Sequence, residues 1–305
     1  MKPRLLVIGA QGQVATSLRQ AAARYPNLTV IASDRSQIDL AQPEHIAASI
    51  AAIHPDIVIN PAAYTAVDRA ESEPDLAFAI NRDGAAQVAR AAAAIGAPVI
   101  HLSTDYVFDG TKPSAYVEDD PPGPRSVYGR SKLAGELEVA AANPQHIILR
   151  TAWVYSPFGS NFLRTMARLA SERDLVRVVD DQIGCPTSAD DIADAVLALA
   201  ERIASSGWDP AFAGVTHLAG PDAMSWRAFA EEIMLGLAAR GQPSAKVEPI
   251  PSSAYPTAAA RPANSRLACD RLADIFGLRT PPASISMARC LDQLFGPKPT
   301  LGGRP

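Results

Sequence analysis

Cysteine is scarce in this chain, and what there is does not pair by pattern. Cys185, Cys269 and Cys290 are widely spaced and form no CxxC motif, which fits a reducing compartment better than a disulfide framework. No HExxH occurs among the five histidines, and that argues against a zinc site. No apolar run approaches the roughly 18–20 residues of a membrane span. The run Leu5 to Ile8, flanked by Lys2 and Arg4 and stopped by Gly9, is too short for the apolar core of a signal peptide. Positive charge is not in excess either. A net charge of −4 gives no footprint for nucleic acid and no polybasic membrane patch. A cytoplasmic protein is expected, with neither nucleic acid nor membrane as partner. What remains is 305 residues with 48% hydrophobic and 20% charged side chains, enough to bury one large core or two unequal ones.

The first half alternates in texture. Arg4-Leu-Leu-Val-Ile8 is an apolar run closed by glycine, as in a strand buried on both faces, and an Ala-rich helical segment follows to about Arg24. The unit recurs, with strands expected at 28–32, 56–60, 98–103 and 146–150, and helices at 45–53, 77–95 and 129–142. Such alternation predicts an α/β fold, a Rossmann-type doubly wound parallel sheet. Past Tyr155 proline and glycine become frequent, as in Ser156-Pro-Phe-Gly159, Gly184-Cys-Pro186 and Pro249-Ile-Pro251. Helices remain legible at 190–203, 226–239 and 286–294. A smaller C-terminal α/β domain is therefore expected, built from 156–184 and 221–305. Residues 1–155 would form the sheet domain, with 185–220 contributing through a strand at 216–219. Residues 297–305 lack periodicity and are expected to be a frayed tail.

Gly9-Ala-Gln-Gly12-Gln-Val-Ala15 lies between the first strand and the first helix. Glycines there let the backbone approach a pyrophosphate, and the helix N-terminus offers N–H donors. The spacing is GxxGxxA rather than GxGxxG, and a tight turn without a ligand would look the same. The second strand adds support. It ends at Asp34, twenty-two residues beyond Gly12, where a carboxylate accepts hydrogen bonds from an adenosine ribose. Arg35 follows and suits a 2′-phosphate, so NADH and NADPH both stay open. Asn60-Pro-Ala-Ala63 supplies small residues that suit either a cofactor or a plain strand–loop junction.

Tyr128 and Lys132 stand four residues apart at the start of a predicted helix and so share a face. With seven tyrosines and five lysines in the chain, chance produces a Tyr-x-x-x-Lys with odds of about 0.1. A neighbouring ammonium favours the phenolate, so Lys132 is expected to lower the Tyr128 phenol. Tyr128 would protonate a carbonyl oxygen as hydride arrives, and Lys132 would also bond the nicotinamide ribose. Ser103-Thr104-Asp105 closes the fourth core strand, at the carboxyl edge where open parallel sheets gather functional groups. Thr104 would hydrogen-bond the same carbonyl oxygen. Together Thr104, Tyr128 and Lys132 predict an NAD(P)H-dependent reductase.

Further motifs run over nearly the whole chain. They include Ala62-Ala-Tyr-Thr-Ala-Val-Asp-Arg-Ala-Glu-Ser-Glu-Pro74, Ser103-Thr-Asp-Tyr-Val-Phe108 and Val127-Tyr-Gly-Arg-Ser-Lys-Leu-Ala-Gly-Glu136. Arg150-Thr-Ala-Trp-Val-Tyr155, Asp181-Gln-Ile-Gly-Cys-Pro-Thr187, Ser253-Ala-Tyr-Pro-Thr257 and Arg261-Pro-Ala-Asn-Ser-Arg-Leu267 follow. By these the sequence resembles the extended short-chain dehydrogenase/reductase superfamily and, within it, the dTDP-4-dehydrorhamnose reductase family. The resemblance implies reduction of the C4 keto group of dTDP-4-dehydro-L-rhamnose to dTDP-L-rhamnose, for polysaccharide synthesis, by a monomer or homodimer. It implies a cofactor held by Gly9, Gln11, Gly12, Gln13, Val14, Asp34, Asp39, Leu40, Ala62, Ala63 and Thr65, with Tyr128 and Lys132 touching cofactor and reaction alike. Thr104, Asp105 and Trp153 would contact the sugar, Trp153 being either a flat apolar wall or a core aromatic. Arg261, Asn264 and Arg266 would serve the diphosphate, although surface ion pairing accounts for such residues nearly as well. Some members form a dimer through a metal held by carboxylates on three helices. Here Ala15 stands at the first of those positions and the shorter Asp190 and Asp292 at the others, so no metal is expected.

Three rivals meet the same residues. A nucleotide-sugar 4,6-dehydratase needs an Asp-Glu pair after the catalytic threonine, and here the pair is Asp105-Tyr106. An epimerase passes that criterion, but the C-terminal motifs speak against it. A non-catalytic subunit, like the regulatory subunit of methionine adenosyltransferase, would have no use for a matched proton donor.

Overall fold

The computed structural model describes residues 2–298. Its centre is a six-stranded, all-parallel sheet. The strands are β1 (Arg4–Ile8), β2 (Thr29–Ser33), β3 (Ile57–Asn60), β4 (Val99–Thr104), β5 (His146–Thr151) and the later Gly214–His217 strand. Across the sheet the order is Gly214–His217, β5, β4, β3, β1, β2. The chain leaves β1 in one direction to form β2 and in the other to form β3, so the order reverses between β1 and β3. The expected Rossmann-type doubly wound sheet is thus present.

Side chains alternate between faces with period two, and that alternation splits the core. Leu5, Val7, Ile57 and Ile59 pack on one face against α1 (Gln13–Ala21) and the Ala189–Ser206 helix. Leu6, Ile8, Val58 and Val99 pack on the other against α2 (Ile46–Ile53) and further helices. Between β3 and β4 the chain forms α3 (Val67–Ala70), α4 (Pro74–Phe78), a π-helical turn over Ala79–Gly84 and α5 (Ala85–Ala94). The expected helix over 77–95 is therefore real but interrupted. α6 (Val127–Ala142) crosses between β4 and β5.

A separate core gathers the later chain. Helices Phe162–Glu172, Trp226–Ala238 and Ala283–Phe295 bury Leu163, Met166, Phe229, Ile233 and Leu291 around a parallel pair, Leu175–Val179 with Lys246–Ile250. A three-stranded ribbon of Met224–Ser225, Ile183–Gly184 and Asn264–Ser265 lies in the same part of the chain. Of the expected tail, Pro297 and Lys298 have no regular structure, and residues 299–305 lie outside those described.

Candidate active site

β1 runs into Gly9, whose φ of +88° is left-handed backbone that suits glycine. A Cβ there would sit 3.0 Å from Ala62 Cβ, so the turns after β1 and β3 touch where the strand order reverses. That is the crevice at which open α/β sheets bind ligands. Gly12 opens α1, and a Cβ built on it would meet nothing nearer than the Gly9 carbonyl oxygen at 3.8 Å. A side chain at Gly12 would therefore stand in open space. No side chain among the described residues caps α1, which leaves its first-turn N–H groups for a ligand.

These turns line a cavity of about 730 Å³. Gly9, Gln11, Gly12, Gln13, Val14, Asp34, Arg35, Ala62, Ala63, Thr65, Tyr128 and Lys132 all border it, so the structure brings together most of the residues expected around a cofactor. Asp39 and Leu40 stand behind that lining. The Asp39 carboxylate pairs with Arg35 at 3.1 Å, and Leu40 is buried with its backbone packed against Gly84. Asp34 Oδ1 accepts from Ser36 N and Oγ and from Gln37 N, and these bonds hold its carboxyl below the usual range. The cradle fits a dinucleotide. A valine at Gly12 would take up space that a bound cofactor needs, at a cost of about 1–3 kcal/mol, so Gly12→Val is expected to weaken NADPH binding by roughly 10- to 100-fold. A titration of nicotinamide fluorescence reads this directly, and unchanged affinity would remove the turn from the site.

α6 brings the reactive pair to the same cavity. Ser126 caps it, accepting from Gly129 N at 3.1 Å. Cβ atoms at Gly129 and Gly135 would lie 2.2 Å from the Tyr106 carbonyl oxygen and 2.0 Å from that of Asn81, so the helix rests backbone on backbone. Lys132 is buried, and its Nζ donates to the Leu102 carbonyl oxygen at 2.6 Å, with His101 Nε2 at 3.4 Å. Burial lowers the Lys132 ammonium to about 8, and the carboxylate of Glu136 one turn on acts against that. His101 is pushed well below its usual value by burial and then by the Lys132 charge, so its ring is neutral.

Tyr128 departs from expectation. Its phenol is raised, chiefly by burial and also by Asp105 and Tyr106, while the Thr104 hydroxyl pulls the other way. One donor of the Lys132 ammonium is taken by the Leu102 carbonyl, and the ammonium does not turn the resting phenol into a phenolate. Tyr128 therefore holds its proton. Thr104, at the end of β4, donates to Asp105 Oδ1 at 3.0 Å. Asp105 is buried, which raises its carboxyl to about 6 against the opposing hydroxyls of Ser265 and Thr104, and its Oδ2 has no partner among the described residues.

The residues expected at the sugar nucleotide are more scattered. Arg261 donates to the Tyr106 hydroxyl at 2.8 Å and to Asp68 at 2.6 Å, and the Tyr106 ring stands edge-on to Tyr128 at 5.4 Å. Asn264 donates to the carbonyls of Lys112 and Ser114, and Arg266 to that of Pro113, so both tie down one loop. Trp153 has a φ of +48°, uncommon outside glycine, and stacks on Trp226 instead of facing open space. Of the positions considered for a metal, Asp190 accepts from Ser17 and Gln293, and Asp292 pairs with Arg240.

Several lining residues escaped the sequence reading. Ser103 and Thr151, at the ends of β4 and β5, border the cavity with buried hydroxyls that lack partners among the described residues. Gly159 and Ser160 form another part of the wall. Their loop is tied to the cofactor turn through Gln13 Oε1, which accepts from Ser156 Oγ at 2.8 Å and Asn161 Nδ2 at 2.9 Å. The signal for Ser103 and Thr151 was available, since both sit at carboxyl ends of core strands. No helix among the described residues is long and apolar enough to cross a membrane.

Comparison with known proteins agrees with this geometry. The family model described as RmlD substrate binding domain matches residues 2–295. A dTDP-4-dehydrorhamnose reductase of Sinorhizobium fredii is 53% identical over 278 residues, covering 91% of this chain and 93% of that protein. One from Burkholderia thailandensis is 42% identical, covering 96% of this chain and 99% of the other. The crystal structure of a dTDP-4-dehydrorhamnose reductase from Bacillus anthracis in complex with NADP superposes with a TM-score of 0.88 at 33% identity, covering 96% of this chain and 100% of that one. A family model spanning residues 2–295, relatives matched over more than nine-tenths of both chains and a closely superposing fold place the chain in the dTDP-4-dehydrorhamnose reductase family.

Proposed function

We propose that the protein reduces the C4 keto group of dTDP-4-dehydro-L-rhamnose to give dTDP-L-rhamnose, with Tyr128 as the proton donor. The observation that carries this is the convergence on one cavity of a phosphate-type turn at Gly9–Gly12 and the buried pair Tyr128 and Lys132. NADPH or NADH, when bound, supplies the hydride. The backbone around Gly9, Gln11 and Gly12, with Gln13 and Val14 at the start of α1, takes the pyrophosphate. Asp34 receives the adenosine ribose, and Arg35, braced by Asp39, stands ready for a 2′-phosphate. Leu40 supports this end from behind, and Ala62, Ala63 and Thr65 give the backbone its close approach.

Tyr128 delivers its proton to the sugar C4 oxygen, and Thr104 orients that oxygen by hydrogen bonding. Lys132, charged below about pH 8, bonds the nicotinamide ribose and stabilises the phenolate left after transfer. Asp105 and Trp153 contact the sugar. Arg261 serves the diphosphate by trading Asp68 for a phosphate oxygen, while Asn264 and Arg266 serve it through the loop of Lys112 to Ser114 that they hold. Residues 1–155, joined by 185–220, form the cofactor half, and 156–184 with 221–305 the substrate half. None of these steps requires a second copy, so a monomer or a homodimer in the cytoplasm serves equally.

The test is NADPH and NADH oxidation with the 4-keto sugar nucleotide, with the product identified by mass and stereochemistry. A product two hydrogens heavier than the substrate is expected. An isomer of unchanged mass would assign an epimerase, and no turnover would leave a binding subunit.

A further inference from the structure

Trp226 took no part in the sequence reading of the site, yet it holds the residue assigned to the sugar. Its ring lies 3.5 Å from that of Trp153, with the planes within 7°. Gly184 approaches Trp153 as well. A Cβ at Gly184 would lie 2.2 Å from Trp153 Cε2, 2.5 Å from Nε1 and 2.6 Å from Cζ2. Cε2 is bonded to both of the other atoms and is the nearest of them. The approach is therefore onto the ring face, because along the edge an outer atom would come closer. With an indole already at 3.5 Å there is no room for backbone on the Trp226 side. The two neighbours lie on opposite faces of Trp153, and only its edge is left.

The sequence builds both jaws into one ribbon. Met224 pairs with Gly184 and Ser225 with Ile183, so Trp226, next in the chain, begins its helix beside the strand that carries Gly184. Ser225 caps that helix by accepting from Ala228 N at 3.1 Å. Phe162 tilts against Trp226 at 4.5 Å. A left-handed φ at Trp153 turns its side chain into this clamp.

We propose that Trp226 is a positioning residue for the sugar nucleotide. With Gly184 it clamps the Trp153 indole so that the ring edge and its N–H donor, instead of the apolar face, meet the sugar. This rests on the reading of Trp153 as a sugar contact.

Steady-state kinetics of the full-length enzyme with dTDP-4-dehydro-L-rhamnose test it. Trp226→Leu is expected to raise KM for the sugar nucleotide roughly tenfold, with kcat and the NADPH Kd held within about twofold. Trp226→Phe keeps a stacking ring and should recover most of the loss. Gly184→Ala pushes the indole from the other face and should reproduce the KM effect; it and Trp226→Phe carry the test if the leucine variant does not fold. Trp153→Leu calibrates the premise. If it raises KM while Trp226→Leu and Gly184→Ala do not, the clamp is wrong and the role of Trp153 stands. If Trp153→Leu leaves KM unchanged, both fall together. A matching drop in kcat and NADPH affinity would make Trp226 a structural residue and overturn the proposal.

Discussion

Tyr128→Phe should lose roughly 10²–10⁴-fold in kcat, the usual worth of a positioned general acid. The change removes one hydroxyl from a buried ring and leaves the edge-on contact with Tyr106 in place. KM for the sugar nucleotide and the affinity for NADPH should therefore change little. Single-turnover oxidation of NADPH is the measurement, since it isolates the chemical step from product release. The direction of the phenol shift sharpens the expectation. Because burial keeps the Tyr128 proton in place at neutral pH, the wild-type enzyme enters each turnover already loaded. Full turnover by the phenylalanine variant would sink the assignment.

Glu136→Gln should be the most damaging change outside the cavity. Glu136 and Arg150 form a two-pronged ion pair at 2.9 and 2.6 Å, with side chains only 3% and 5% exposed. Arg150 Nη1 already lacks a partner among the described residues. Breaking a buried pair from one side costs about 3–5 kcal/mol, because a charge is stranded. Urea unfolding should show a loss of that order, whereas Glu136→Leu combined with Arg150→Met should recover much of it. A second readout separates stability from chemistry. The Glu136 carboxylate raises the Lys132 ammonium, against the burial that lowers it to about 8. In the wild type, activity that needs the charged lysine holds below that pH and falls about tenfold per unit above it. Without the carboxylate the fall should begin at lower pH, in the single and the double variant alike. A double variant that regains stability and keeps the wild-type pH limb would show that Glu136 does not act on Lys132.

Much of this architecture was legible because burial leaves a simple trace. β1, β3, β4 and β5 are enclosed on both faces, and each reads as a short, mostly apolar stretch without the polar alternation of a half-exposed strand. The parallel pair Leu175–Val179 with Lys246–Ile250 was missed. Pro249 sits inside one of its strands, which reads as a break, but a strand in a two-stranded pair has a free edge where the missing N–H does no harm. The π-helical turn was equally silent, since Asn81 reveals its purpose only in space, where it holds Tyr64 and Ser131 together.

The site divides the same way. Tyr128 and Lys132 are four apart on one helix, so spacing alone put them side by side. The place of Thr151 at the carboxyl end of β5 marks it as a candidate, but that it stands directly opposite Thr104 follows from the pairing of β5 with β4, which local sequence does not write. Trp153 and Trp226 come together through a ribbon between distant segments, which no spacing announces. The sense of the phenol shift was misjudged for a related reason. Spacing shows that an ammonium is near, but not which carbonyl it is tied to or how dry the site is.

The contacts of Gly129 and Gly135 have a mechanical consequence. Where most helices meet their neighbours through a compliant layer of side chains, α6 is seated directly on the carbonyls of Tyr106 and Asn81. A bearing without a cushion transmits every displacement in full. Tyr128, Lys132 and Glu136 share that helix, so proton donor, cofactor anchor and internal counter-charge move as one part or not at all.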